Sequence, residues 1–384
     1  PAATLESMAE NLLAVHSAFR LGLISEHELD GRISRQLSFL NKMPLNRNGV
    51  PNKVYGTFSG QMIDFRKEKA FIGWSAKDIG RLLIALKIIK NEYPYYSEYI
   101  DKFFFRLNFC ELLDSEGYLY SAKVVEGKLM KYIDGSLGSK EHWARGYQLW
   151  GFITDSTSSM LNFYREKIYD EIIMVDARDE RLRKEIQVNA VTSFPYLLDG
   201  LEFGWNSAGP EDAPDYTWVP ELYKQQALAV IKVQRKRWER EKILTARAPH
   251  RTERSPYFVY DAVFANGFEW NTLDANGKYY ESLATVSTSA AASMWALDQN
   301  DYTEYLANSL KNAFNPLSGW YEGKLERTGD YEKVITCSTN SIILESILFY
   351  VSGTIYNPPS EEDSYFNEHI KNKLKEYNKC GIIN

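Results

Sequence analysis

The chain has 384 residues, room for one large domain or two ordinary ones. With 51 Asp and Glu against 45 Lys and Arg, its formal net charge is −6, so the surface as a whole does not read as a phosphate-backbone binder, and no nucleic-acid partner is expected. Cys110, Cys337 and Cys380 lie far apart and the five histidines form no HExxH pattern, so neither a zinc site nor a disulfide framework is supported. No metal or cofactor is implied, and no apolar run approaches the length of a membrane span.

The aromatic share is 14 %, with 26 Tyr and 9 Trp, which suits a large aromatic core or a surface that stacks on sugar rings. The chain opens Pro-Ala-Ala-Thr, with neither an initiator Met nor a signal sequence. That is expected of a mature or trimmed chain whose export signal lies outside it.

In chain order, an apolar helix is predicted over 5–20, with Glu6 in its first turn and Gly22 breaking it. A more polar helix follows at about 26–40, then a Pro- and Gly-rich loop carrying Asp64. Trp74-Ser75 leads into an apolar helix through Ile89, with Ser75 as N-cap and Asp78 at the third helical position, close to a capping box. A polar helix is expected at about 97–108, and a loop at 114–138 that holds Glu116.

Gly138 and Ser139 then open a helix over 139–153 that reads as central. Glu141 falls in its first turn, where the helix dipole favours a carboxylate. Trp143, Tyr147 and Trp150 recur at helical spacing among Ala144, Gly146 and Gly151, so the helix is apolar on most sides and expected to be buried. A polar helix is predicted at about 157–170, and the charged run 171–190 reads as a solvated face.

A further apolar helix starts at Thr192-Ser193, with Pro195 tolerated in its first turn, and a polar one spans about 218–242. The longest non-helical stretch, 245–285, carries Tyr257, Asp261 and Trp270. The small-residue helix Ala290–Leu297, a polar helix at 301–314, the loop Gly319–Gly323 with Trp320 and Glu322, the apolar helix Ile342–Val351 and a polar helix at about 361–377 complete the chain.

Six apolar helices thus alternate with six more polar ones. The expected solution is an all-α double ring, an (α/α)6 barrel, filling a single domain over 1–384. If the helices alternate in direction, the six inner amino ends share one face with the long loops.

The segments 74–81, 140–151, 256–267, 319–323 and 338–345 resemble an uncharacterised bacterial domain family of the six-hairpin glycosidase type. The family is similar in layout to the glucoamylase-like domains of β-glucan enzymes. The resemblance covers nearly the whole chain and implies an (α/α)6 fold, a bacterial envelope or secreted setting, and glycoside hydrolysis; an oligo- or polysaccharide partner and a monomeric chain are expected. A Trp-Asp pair associated with the family's first inner helix stands here as Leu5-Glu6.

Glycoside hydrolysis requires two carboxyl groups across the sugar bond. Glu141 is the first candidate for the general acid and Asp261 for the base, with Asp64 and Asp78 as competitors. Asp78 is equally explained as a helix cap, and Asp261 as a turn former. Trp74, Tyr196, Tyr257, Trp270 and Trp320 are candidate stacking platforms, though each alone reads as readily as core. Glu116, His142, Glu322 and Asn340 join them as substrate-side candidates, and Arg145 lies one helical turn from Glu141. The expected activity is inverting and endo-acting on a bacterial polysaccharide or glucan. A polysaccharide lyase using His142, Tyr196 or Asn340, and a non-catalytic glycan-binding component of exopolysaccharide export, are the alternatives.

Overall fold

The computed structural model describes residues 2–152, 154, 163–177, 190–206, 218–358 and 372. The predicted tail helix at 361–377 and most of the charged run after Ala177 lie outside the described residues, apart from single or edge positions. Ten α-helices are present among the described residues. The chain divides into two compact units, Pro1–Gly135 with Trp143–Ser156 and Tyr356–Asn384, and Ser136–His142 with Thr157–Ile355.

The first unit holds α1 (Leu5–Arg20), α2 (Glu26–Lys42), α3 (Ala76–Glu92) and α4 (Ser97–Phe104). Thr4 caps α1 in a reciprocal box: its Oγ1 accepts from Ser7 N at 3.1 Å, and Ser7 Oγ accepts from Thr4 N at 2.9 Å. Helix α2 buries one stripe, Leu29, Ile33, Leu37 and Leu40, at the spacing of a surface helix. Helix α3 is apolar on most sides and packs along α1.

Helix α5 (Ser139–Gln148) begins in the second unit and passes into the first at Trp143. In the first unit its backbone lies against that of α3. A Cβ on Gly146 would stand 2.0 Å from the Gly80 carbonyl oxygen, and one on Gly80 2.4 Å from the Trp143 carbonyl oxygen. Tyr147 Oη donates to Ala76 O at 2.7 Å and Trp150 Nε1 to Leu83 O at 3.0 Å, fixing the same pair. Backbone cannot yield as a side chain can. Gly146→Ala is therefore expected to cost about 3 kcal/mol or more in urea unfolding; an unchanged midpoint would mean that the helices do not meet here.

The predicted loop 114–138 contains a hairpin, β1 (Tyr120–Val125) paired antiparallel with β2 (Lys128–Ile133). Its turn is Glu126-Gly127, both at positive φ (49° and 75°), as a two-residue hairpin turn requires. The all-α expectation is corrected here and again downstream: of the helix predicted at 157–170, residues 157–162 lie outside the described residues and Phe163–Ile168 form β3, paired with β4 (Glu171–Asp176). Ile168, Ile173, Met174 and Val175 are buried in the hydrophobic core, so this part of the charged run is not a solvated face. Alternation and β-branching at Ile172, Ile173 and Val175 favour the strand.

The second unit also contains α6 (Phe194–Phe203), α7 (Trp218–Glu241), α8 (Thr288–Leu297), α9 (Asp301–Leu310) and α10 (Cys337–Ser352). Helices α6, α8 and α10 pack on one another, and α9 packs on α8. Helix α7 grips β4 through Gln226, which accepts from Met174 N at 2.8 Å and donates to Met174 O at 2.9 Å.

One turn recurs along the chain. At Asn46, Asp64, Asp114 and Asp274 the side-chain oxygen accepts the backbone N–H groups two and four residues on, at 2.8–3.1 Å. The fourth residue of each, Gly49, Lys67, Gly117 or Gly277, has positive φ. Cys110 is disulfide-bonded, which corrects the expectation drawn from cysteine spacing.

Candidate functional site

In the second unit the amino ends of four helices gather at one end. Ser193 N, before α6, donates to Arg247 O at 3.3 Å, and Ser287 N, before α8, to Ala246 O at 2.9 Å. Thr288 N donates to Glu322 O at 2.9 Å, while Thr336 Oγ1, the N-cap of α10, donates to Glu322 Oε1 at 2.6 Å. Tyr223 Oη donates to Gly138 O at 3.1 Å, and a Cβ on Gly138 would meet the Tyr196 ring at 2.6 Å, joining the start of α5 to that of α6.

Glu141 and Asp261 both belong to this end. Glu141 is buried, and its Oε2 accepts the Gly138 N–H at 2.6 Å, closing the first turn of its own helix. Burial, then the Glu141 charge, raises the Tyr196 phenol well above its usual range. His142 Nε2 meets Glu202 Oε2 at 2.8 Å, with both side chains out of solvent.

Asp261 is fully buried and fully engaged. One oxygen pairs with the Arg247 guanidinium and accepts from Thr272 Oγ1 at 2.7 Å, and the other accepts Thr285 N–H at 2.7 Å. Arg247 also grips Glu326 through Nε (2.8 Å) and Nη2 (2.7 Å). The group thus ties the long loop to the entry of α8.

Asn340 acts as a clasp, accepting from Trp320 N at 2.8 Å and donating to Trp320 O at 3.1 Å. Trp320 stays partly exposed beside Phe314, and Tyr257 is 62 % exposed. The Trp270 ring carries the Arg237 guanidinium at 4.4 Å, while Tyr196 is buried. Burial raises the Glu322 carboxyl above its ordinary value.

In the first unit, Trp74 is 0 % exposed with its indole N–H donating to Tyr120 O at 3.0 Å, so its environment is that of a core residue. Asp64 and Glu116 belong to the recurring turns, Asp64 as the accepting residue and Glu116 as an exposed tip. Arg145 is buried in this unit.

Asp78 differs from all of these. Ser75 Oγ accepts from Asp78 N at 3.2 Å and donates to Asp78 Oδ1 at 2.6 Å. Burial, and next the Glu6 carboxylate on the start of α1, push the Asp78 carboxyl from 3.8 up to about 7, with Asp134 adding to the rise. Asp134 accepts from Ser121 Oγ and from Gly135 N, the latter at 2.9 Å. Ser121 Oγ in turn accepts Ala76 N at 2.7 Å.

Sequence reasoning missed Asp134 and Lys53 near Asp78. Neither lies in a motif, and only the hairpin that carries Ser121 brings Asp134 to α3.

Residues 1–353 match the family described as Protein of unknown function (DUF3131). No curated protein matches the sequence at a significant level. Among solved structures, the fold is similar to that of a glucoamylase-like protein from Bacteroides caccae ATCC 43185, with TM-score 0.64 at 14 % identity over 98 % of this chain and 88 % of that one. It is also similar to an endo-β-1,2-glucanase from Chitinophaga pinensis in complex with sophorotriose and glucose, with TM-score 0.64 at 13 % identity over 98 % and 87 % of the two chains. A third, an endo-β-1,2-glucanase from Talaromyces funiculosus in complex with sophorose, gives TM-score 0.56 at 10 % identity over 99 % and 81 %. At these identities the likeness establishes a shared fold.

Proposed function

The chain belongs to the family described as Protein of unknown function (DUF3131), and from that membership and its fold we propose that it is a glycoside hydrolase of a glucan, built as an (α/α)6 barrel. The observation that carries the reading is Asp78: a carboxyl group desolvated at a helix start and raised to about 7, next to a second carboxylate, Glu6. A carboxylic acid that keeps its proton near neutrality can protonate a glycosidic oxygen. We assign Asp78 that role, and give Glu6, partly exposed on α1, the role of the second carboxylate.

Glu141 and Asp261 become supports in this reading. Glu141 closes a helix turn, and Asp261 has both oxygens committed to Arg247, Thr272 and Thr285. The substrate favoured is a β-1,2-linked glucan, because two of the similar folds are endo-β-1,2-glucanases. The same likeness supports an endo-acting mode, and inversion is proposed with it. An envelope or secreted setting agrees with the disulfide at Cys110, since such bonds persist in oxidising compartments.

The test is digestion of purified β-1,2-, β-1,3- and α-glucans with product sizing, and NMR of the first anomer released. Soluble β-1,2-oligosaccharides of inverted anomer from the native enzyme, and none from Asp78→Asn, are expected. Glu141→Gln, which can still accept the Gly138 N–H, is expected to remain active. Activity lost in Glu141→Gln but kept in Asp78→Asn would reverse the assignment. An unsaturated, ultraviolet-absorbing product would mark a lyase, and saccharide binding without turnover a scaffold.

A further inference from the structure

The first unit holds three tryptophans, Trp74, Trp143 and Trp150. Two of them follow one rule. Trp74 Nε1 donates to Tyr120 O and Trp150 Nε1 to Leu83 O, each at 3.0 Å, and the two residues are 0 % and 2 % exposed. A buried indole N–H is normally met in this way, because an unmet donor out of water costs free energy. Trp143 departs from the rule. Its Nε1 lies out of solvent, and the N–H has no hydrogen-bond partner among the described residues.

The place of this ring gives the exception a meaning. Trp143 stands where α5 meets α3. A Cβ on Gly80 would lie 2.4 Å from Trp143 O, so the backbone that carries the ring is fixed against α3, two residues beyond Asp78. One turn back from Gly80 on the same side of α3, Lys77 sets its Nζ over the Trp143 ring, 5.1 Å from the centroid. Lys77 does not answer the indole. An ammonium has donors and no acceptor, and it lies over the ring face, whereas the N–H leaves from the ring edge. The same lysine precedes Asp78 in the chain, and its charge acts on that carboxyl. Ser75, Asp78 and Trp143 each keep 8 % of their surface exposed, where Trp74, Ala76 and Ile79 keep 0 %, 0 % and 1 %. The start of α3 is thus closed except at its cap, at the proposed acid and at this ring beside them.

We propose that Trp143 is a substrate-binding residue of the Asp78 site, its indole N–H donating to an oxygen of the sugar whose linkage Asp78 protonates. A sugar supplies what the protein lacks at this point, since its hydroxyl, ring and linkage oxygens all accept. The donor is unmet in the free protein, so the bond to the sugar forms without breaking one inside the fold. The contact of the two helix backbones holds the ring in place beforehand, which limits the ordering cost of binding. The inference rests on the reading of Asp78 as general acid for the identity of the sugar, and on the unmet donor for the contact.

The experiment is calorimetric titration of a β-1,2-linked glucose oligosaccharide into Asp78→Asn protein, which separates binding from turnover. Adding Trp143→Phe keeps an aromatic ring and removes the N–H, and is expected to weaken binding about fivefold per folded molecule. Trp150→Phe in the same background removes an equal volume together with a met N–H. It is expected to lower the urea midpoint and leave the affinity unchanged. In isotope-labelled Asp78→Asn protein, which needs no change at Trp143, the assigned Trp143 indole N–H resonance should move as the oligosaccharide saturates. Equal affinity of Trp143→Phe and its parent, an equal loss in Trp150→Phe, or a Trp143 resonance that stays in place at saturation would each overturn the proposal. An oligosaccharide that is neither bound nor hydrolysed overturns both the proposal and the hydrolase reading. Hydrolysis that survives Trp143→Phe unchanged overturns the proposal alone, and binding through Trp143 without hydrolysis by the native protein overturns the hydrolase reading alone.

Discussion

On the proposed assignment, Asp78→Asn is expected to lower kcat on β-1,2-glucan by about 10²–10⁴-fold, the range general-acid catalysis contributes, while making the protein more stable in mild alkali. The second half follows from the sign of the shift. A carboxyl raised from 3.8 to about 7 in the folded state holds its proton more tightly there than when unfolded. Its contribution to stability is therefore complete below pH 3.8, and is lost as pH rises toward and through 7. Above 7 the folded state carries a penalty on the order of 2–4 kcal/mol, which an amide does not incur. Asn can still accept the Ser75 hydroxyl, so the cap survives.

Urea midpoints at pH 4.5 and pH 8 check this: the variant should gain on the native protein at pH 8 and gain much less at pH 4.5. Equal differences at both pH values would show that Asp78 is not held protonated by its surroundings. The native enzyme's kcat/KM should fall on the alkaline side with an apparent pKa near 7.

Arg247→Met is expected to destabilise the fold by about 3–5 kcal/mol, because it leaves Asp261 buried without its main counter-charge, while Glu326 keeps Arg237 at 3.2 Å. Asp261 has 0 % of its side chain exposed and Glu326 7 %. The double variant Arg247→Met/Asp261→Asn should recover a substantial part of that loss, since it removes the stranded charge. A double variant no more stable than Arg247→Met would show that the pair is not coupled. The same geometry bears on Asp261→Asn taken alone. Its activity has to be compared per folded molecule, because the substitution loosens the anchor between the long loop and α8.

Much of the architecture is local and was legible in the residues. Ser75 and Ser287 each cap a helix with their own side chain, and Gly146 stands where two backbones touch; the last apolar helix, expected over Ile342–Val351, begins earlier, at Cys337 behind Thr336. What failed were the hairpins at 120–133 and 163–176. Glu-Gly and Tyr-Asp turns are weaker signals than Asn-Gly, so 120–133 read as loop, and the charged residues around Tyr169-Asp170 read as polar helix at short range.

The candidate site divided along the same line. Glu141 drew attention through its helix start, where its Oε2 accepts the Gly138 N–H. Asp261 drew attention through its long loop, but its partner Arg247 lies outside any motif. Asp64 has the spacing of a turn former, and its Oδ1 takes the N–H groups of Arg66 and Glu68.

By itself the sequence determined which helices are apolar on most sides and how several of them are capped. These depend on residues within a few positions of one another. Only the tertiary structure decided which acid keeps a proton. Desolvation and the repulsion of Glu6 on Asp78 act through space, between side chains that no local pattern connects.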